Sequence, residues 1–116
     1  MRTSNRKINI SLKNQIIKSF AQVIADFKDT EEADKFLRDF LKDAELETFA
    51  KRLAVAYWLK KGRSYANIHT NLKVSSATIA STQSMLGNKG FQKALKRLEA
   101  DEWANQWSEK IKKFIK

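Results

Sequence analysis

Apolar residues recur along this chain at the spacing of helical faces. Leu12, Ile16, Ile17, Phe20, Val23, Ile24 and Phe27 follow one another at intervals of three and four, while Lys13, Asn14, Lys18 and Gln22 take the other side. This pattern predicts a helix starting at Ser11 with one wide apolar face that must meet a partner. Asp29-Thr30-Glu31-Glu32 is a cap with an acid-rich first turn, and Ala33, Phe36, Leu37, Phe40 and Leu41 carry a second helix to its end near Leu41. Asp43 offers the next cap. Behind it Leu46, Phe49, Ala50, Leu53, Val55, Ala56, Tyr57 and Leu59 are so dense that a central helix buried on most of its circumference is predicted. Lys60 and Lys61 suit the dipole at its C-terminal end, and Gly62 suits the left-handed residue just past it.

Beyond Gly87-Asn88-Lys89-Gly90, Phe91, Ala94, Leu95 and Leu98 form another stripe. Trp103, Trp107, Ile111, Phe114 and Ile115 form one more, out of phase with it, which predicts a break near Ala100-Asp101. Trp103 and Trp107, one turn apart on this stripe, read as packing anchors. The polar and basic residues 1–10 read as a loose arm. The expected organisation is therefore an arm at 1–10, a helical domain at 11–100 and a C-terminal amphipathic helix at 101–116.

Between Gly62 and Gly87 the pattern tightens into two short helices. Ser64 caps the first, which turns Ile68 and Leu72 inward; Leu72-Lys73-Val74 makes the turn; Ser75 or Ser76 caps the second, which buries Ile79 and Leu86. Apolar residues at Ile68, Leu72, Val74 and Ile79 have helix-turn-helix spacing, spanning 64–86, and they lock two helices at a steep angle. The outer face of the second helix is Ser76, Ala77, Thr78, Ala80, Ser81 and Ser84. Small residues there let its backbone approach a partner closely and leave the helix N-terminus open to a phosphate. Two departures stand out: the turn residue is Lys73 where Gly is usual, and His69 stands where a small Ala is usual. His69 itself reads as a surface or partly packed residue of the first short helix.

Composition narrows the chemistry. The 116 residues include no Cys, no Pro and one His. Disulfide scaffolds, thiolate zinc sites and cysteine nucleophiles are thereby excluded, and one imidazole gives little scope for a metal cluster or a catalytic triad. No enzyme, cofactor or metal site is expected. The acids of residues 31–47 scatter around two helices and read as a solvated, cap-related face. The absence of Pro and the scarcity of Gly favour helices joined by short turns, hence an all-α class.

Charge supplies the partner. The net charge is +10, and residues 51–90 hold seven Lys or Arg and no acid at all. Such a run points to a polyanion, and its overlap with the helix-turn-helix points to double-stranded DNA. Lys60, Lys61, Arg63 and Lys73 are the candidate phosphate contacts; Ser75, Ser76, Ala77, Thr78, Ala80 and Ser81 are the remaining DNA-binding candidates, most of them facing base edges. The longest apolar-rich run, 53–59, is far shorter than the roughly 20 residues of a membrane span. No export signal is seen at the N-terminus, so no membrane partner and a cytoplasmic location are expected.

The stretch 41–86, with Phe49-Ala50-Lys51-Arg52-Leu53, Leu59-Lys60-Lys61-Gly62 and Ser76-Ala77-Thr78-Ile79-Ala80, resembles the core of the Trp repressor superfamily, and more its Trp-repressor-related YerC/YecD branch than the tryptophan-regulated repressor. This resemblance implies an all-helical, intertwined homodimer in which the N-terminal helices of one subunit wrap the other. It also implies two reader heads presented to a palindromic operator. In tryptophan-responsive members two arginines and a threonine serve the ligand. Arg52 matches the first arginine, whereas Ser81 stands at the second and Ala44 at the threonine. Arg52 alone is left as a ligand-binding candidate, with a pair to an acid of residues 31–47 as the equal alternative, so operator binding without L-tryptophan is expected. The expected function is that of a sequence-specific transcriptional regulator acting as a repressor. The alternative is a helical interaction module that applies its basic face to a protein or RNA.

Overall fold

The computed structural model describes residues 7–101, and the expected helix at 101–116 lies outside them but for its first residue. The described residues form six α-helices and no strand: α1 (Ile10–Ala25), α2 (Thr30–Phe40), α3 (Asp43–Lys60), α4 (Tyr65–Leu72), α5 (Ser76–Gln83) and α6 (Lys89–Ala100). They divide into two compact units, Met1–Asp43 and Ala44–Lys116.

In the first unit α1 begins one residue before the expected Ser11. The Asn9 side chain sets that start by accepting from the backbone N–H groups of Ser11 (2.8 Å) and Leu12 (3.3 Å). Asp29 caps α2 by accepting from the Glu32 N–H at 2.9 Å, while the Glu32 carboxylate reaches back to the Lys28 N–H at 3.0 Å. These local bonds explain why the Asp-Thr-Glu-Glu signal is sufficient to place the helix. Phenyl rings supply the packing: Phe36 and Phe40 stack at 5.0 Å, Phe27 meets Phe36 at 5.2 Å, and Phe20 meets Phe40 at 5.6 Å. Even so, neither helix has a buried residue; Leu12, Ile16, Ile17, Phe20, Val23 and Ile24 are exposed, and Phe40 is 60% exposed.

The second unit carries the core. Val55, Ala56, Tyr57 and Trp58 of α3 join Ile68, Val74, Ile79, Leu95 and Leu98 in one buried cluster, flanked by Leu53, Leu59, Leu72, Leu86 and Phe91. The central helix is therefore wrapped by α4, α5 and α6, but only in its C-terminal half: the buried run is 54–58, whereas Phe49 and Ala50 are exposed. Asp43 is the first helical residue of α3 instead of its cap. The helix stops as its sequence dictates. Gly62 is left-handed (φ +84°), its N–H donates to the Leu59 carbonyl, and the Arg63 N–H donates to that of Trp58. This pair of bonds is the Schellman arrangement, which satisfies carbonyls that would otherwise be orphaned.

No helix among the described residues is long and apolar enough to cross a membrane.

Candidate nucleic-acid interface

Each of the two short helices is started by a serine. Ser64 Oγ accepts from the Asn67 N–H at 3.1 Å to open α4, and Ser75 Oγ accepts from the Thr78 N–H at 3.1 Å to open α5, so Ser75 is the cap and Ser76 the first helical residue. Ile68 and Ile79 are fully buried and Val74 nearly so, which pins both helices and the turn between them to α3.

The turn itself depends on an unusual residue. Lys73 adopts the left-handed conformation (φ 57°, ψ 48°) that Gly would take without strain, and it is the only non-glycine to do so among the described residues. His69 spans it: its Nδ1 donates to the Val74 carbonyl at 2.6 Å. At the far end of the pair, Tyr65 Oη donates to the Gln83 side-chain oxygen, tying the start of α4 to the end of α5. The two departures from the usual pattern, Lys73 and His69, thus meet in one local structure.

On α5, Ser76, Ala77, Ala80 and Ser81 are exposed, as are Ser75 and Ser84 that flank it as caps, and Thr78 is half-buried. Their hydroxyls are partly committed to the helix. Thr78 Oγ1 pairs with Ser75 Oγ at 2.9 Å, Ser81 Oγ donates to the Thr78 carbonyl at 3.0 Å, and Ser84 Oγ donates to that of Ser81 at 2.6 Å. The donors of Ser81 and Ser84 are thus directed inward while their oxygen lone pairs and small side-chain surface stay outside. Thr82, absent from the sequence-based core, is 1% exposed and donates through Oγ1 to the Thr78 carbonyl at 2.8 Å. That bond to the carbonyl four residues back is what lets a hydroxyl sit in the core.

The basic candidates are not equivalent. Lys73 is exposed at the turn. Arg63 is half-buried, with its guanidinium 4.5 Å above the Trp58 ring and Nη1 donating to Asn67 Oδ1 at 3.3 Å. Lys60 and Lys61 share one carboxylate: Glu99 of α6 places Oε2 3.5 Å from Lys60 Nζ and Oε1 3.6 Å from Lys61 Nζ. Arg52 is exposed on α3, with its guanidinium 5.5 Å from the Phe49 ring, and reaches no carboxylate among the described residues. A groove of about 380 Å³ lies between Lys60, Leu86, Gln92, Leu95 and Lys96, with an apolar floor and two lysines on its rim.

The Trp repressor protein family model matches residues 15–99, which include all of α2 to α5, the greater part of α1 and all but the last residue of α6. The chain belongs to the Trp repressor family. It is also similar to the uncharacterized protein YerC of Bacillus subtilis (strain 168), with 36% identity over 81 residues that cover 68% of this chain and 78% of that protein. This likeness places it in the YerC branch of the family. No solved structure matches the chain.

Proposed function

We propose that this protein is a sequence-specific DNA-binding transcriptional regulator that represses by occupying a palindromic operator as an intertwined homodimer, without L-tryptophan. Membership of a family of DNA-binding regulators supports the DNA partner. The observation that carries the reading is the outer face of α5, which is small-residued, free of acids and opened by a capped N-terminus, on a helix fixed through Ile79 and Thr82. An α-helix with such a face fits a major groove.

Ser76, Ala77, Thr78, Ala80 and Ser81 face the bases in this reading, with Ser75 at the helix mouth; Lys73 and Arg63 contact phosphates, and Lys60 and Lys61 do so when they exchange Glu99 for DNA. The α5 face offers no Arg or Asn, and its single Gln83 is engaged by Tyr65. Sequence preference therefore comes from thymine methyl contacts, bridging waters and DNA shape; the water-mediated example in protein–DNA recognition is the Trp repressor itself. The exposed apolar face of α1 supports a second copy as its cover, since patches of that extent mark interfaces.

The test is selection of bound duplexes from a random DNA pool. An enriched palindrome is the expected result. Retention of duplexes without sequence preference, or preferential retention of RNA or of an acidic protein, overturns the reading in favour of a basic interaction module.

A further inference from the structure

Most of the lysines and arginines of α2 and α3 pair with an acid four residues ahead of them, and those of α6 have none there. On α2, Lys35 lies 4.0 Å from Glu31 and Arg38 2.9 Å from Asp34; on α3, Lys51 lies 3.1 Å from Glu47. Each is an acid four residues ahead of a base, the favourable order on a helix. On α6, Lys89, Lys93 and Arg97 succeed one another at intervals of four, Lys96 lies beside them, and no acid occurs from residue 89 to residue 98. All four are exposed, and none makes an ion pair among the described residues.

Helix stability does not explain this stripe. Like charges at i and i+4 repel by roughly the 0.2–0.5 kcal/mol that opposite charges gain. Lys89, at the first position of α6, also meets the positive end of the helix dipole, where an acid is favoured. The opposite side of the helix holds it in place, through buried Leu95 and Leu98 and half-buried Phe91. The outer side is thus a self-repelling row of cations, three of them at stations about 6 Å apart along the axis, on a rigidly docked helix. Glu99, the first acid after the row, is taken by Lys60 and Lys61, and no ion pair to the row is formed among the described residues.

We propose that the outer face of α6 is a second DNA-contacting surface, separate from α5, that binds backbone phosphates through Lys89, Lys93 and Arg97. Double-stranded DNA is the occupant because a regular row of cations without aromatic or hydrogen-bonding specificity elements matches a regular row of anions, and the surface adds affinity without reading sequence. The proposal rests on the DNA-binding reading above.

The test is a triple variant, Lys89→Gln with Lys93→Gln and Arg97→Gln, compared with Lys13→Gln, Lys18→Gln and Lys28→Gln, which removes the same charge from the other unit. Gln keeps the helix propensity of Lys and Arg, and far-ultraviolet circular dichroism checks that α6 persists. Affinity for a selected duplex and for an unrelated duplex is measured across salt. The α6 variant is expected to weaken both duplexes alike, roughly tenfold or more at fixed salt. Its slope of log affinity against log salt should fall by about 0.9 for each phosphate that a subunit no longer neutralises, with the selected motif unchanged. The charge-conserving Lys89→Arg and Lys93→Arg pair keeps the wild-type slope. An unchanged slope in the α6 Gln variant, an equal loss in the first-unit control, or a loss confined to single-stranded RNA or polyglutamate overturns the proposal. If the wild type selects no motif, the regulator reading fails, and the slope on the unrelated duplex still decides the role of α6.

Discussion

His69 Nδ1 lies 2.6 Å from the carbonyl oxygen of Val74, and the residue they enclose, Lys73, is left-handed. The hydrogen bond therefore closes over the most strained backbone position of the helix-turn-helix. For an L-residue this conformation costs roughly 1–2 kcal/mol, whereas glycine adopts it freely but gains about 0.4–1 kcal/mol of extra freedom in the unfolded chain. Lys73→Gly is accordingly expected to raise stability by about 0.5–1 kcal/mol. His69→Ala should lower it by about 1 kcal/mol, the net worth of one hydrogen bond. Urea unfolding checks both; a destabilised Lys73→Gly would show that the lysine makes contacts that outweigh its strain.

Ile79 and Thr82 are both buried on the inner side of α5, but for opposite reasons, and their substitutions should separate. Ile79→Ala leaves a cavity in the cluster formed with Ile68 and Val74 and should cost about 2–5 kcal/mol. Thr82→Val removes a hydroxyl whose acceptor, the Thr78 carbonyl, lies at the position that the backbone of α5 already bonds, so the loss should stay within about 1 kcal/mol. Thermal unfolding of the two variants gives the comparison. A large loss for Thr82→Val would mean that the hydroxyl orients α5 and does not merely tolerate burial.

The caps of this region are legible in the sequence because they are local. Ser64, the left-handed Gly62 and the Asp29 cap need only a few neighbouring residues to express their preference, and the helices start within a residue or so of where the spacing puts them, although α5 ends at Gln83 and leaves Leu86, expected within it, half-buried in the turn beyond. Trp58 is not legible. The buried run 54–58 has no helical period, so periodicity cannot say which of its members face inward. The same dense pattern overstates the burial of Phe49 and Ala50, whose neighbours can be identified only in three dimensions. Thr82 does carry a signal, a hydroxyl four residues after a carbonyl it can reach, but its polar character conceals it. The pairing of Lys60 and Lys61 with Glu99 joins α3 to α6 across the intervening α4 and α5, a relation no local pattern encodes.

That pairing gives a prediction with a definite sign. Glu99 lies between the two ammonium groups, so on the proposed reading DNA must displace it before Lys60 and Lys61 can contribute. Glu99→Gln is expected to tighten DNA binding and to steepen its salt dependence by up to about 0.9 for each lysine released per subunit. Lys73→Ala should lower the slope by about one per subunit, and Thr78→Ala should alter base preference with the slope nearly unchanged. Fluorescence anisotropy across a salt series measures all three. If Glu99→Gln binds no more tightly than wild type, Lys60 and Lys61 belong to the fold and not to the DNA contact set.

Oligomeric state can be tested through the first unit alone. Ile16, Ile17, Phe20, Val23 and Ile24 expose their side chains along one stretch of α1, and a helix with no buried residue lacks the packing that sustains a short helix in water. A dimer that covers this face is expected, with stability that falls on dilution. Ile17→Asp should shift the protein toward monomer and lower its unfolding temperature. Light scattering at micromolar concentration reads the state; a folded monomer whose stability does not change on dilution would contradict the prediction.

The last prediction concerns L-tryptophan. A zwitterionic amino acid held beside the reader helix needs a cation for its carboxylate, and the family resemblance supplies two arginines, of which only Arg52 has a counterpart here, with Ser81 at the other position and Ala44 at the threonine. Arg52 is exposed with its guanidinium beside Phe49, and the Ser81 hydroxyl already donates its proton to the Thr78 carbonyl. Ser81 would have to give up that bond to serve a ligand, and even then would provide one neutral hydrogen bond of roughly 1 kcal/mol where a charge-assisted one provides about 1.5–3. Affinity should therefore fall at least several-fold at this contact alone, and further for the missing threonine. Isothermal titration is expected to show no L-tryptophan binding below millimolar concentration, and operator affinity should be unchanged by its addition. Micromolar binding, or a tenfold tightening on DNA, would mean that a tryptophan pocket persists with other groups in place of the second arginine, and that Ser81 belongs to that pocket and not to the DNA face.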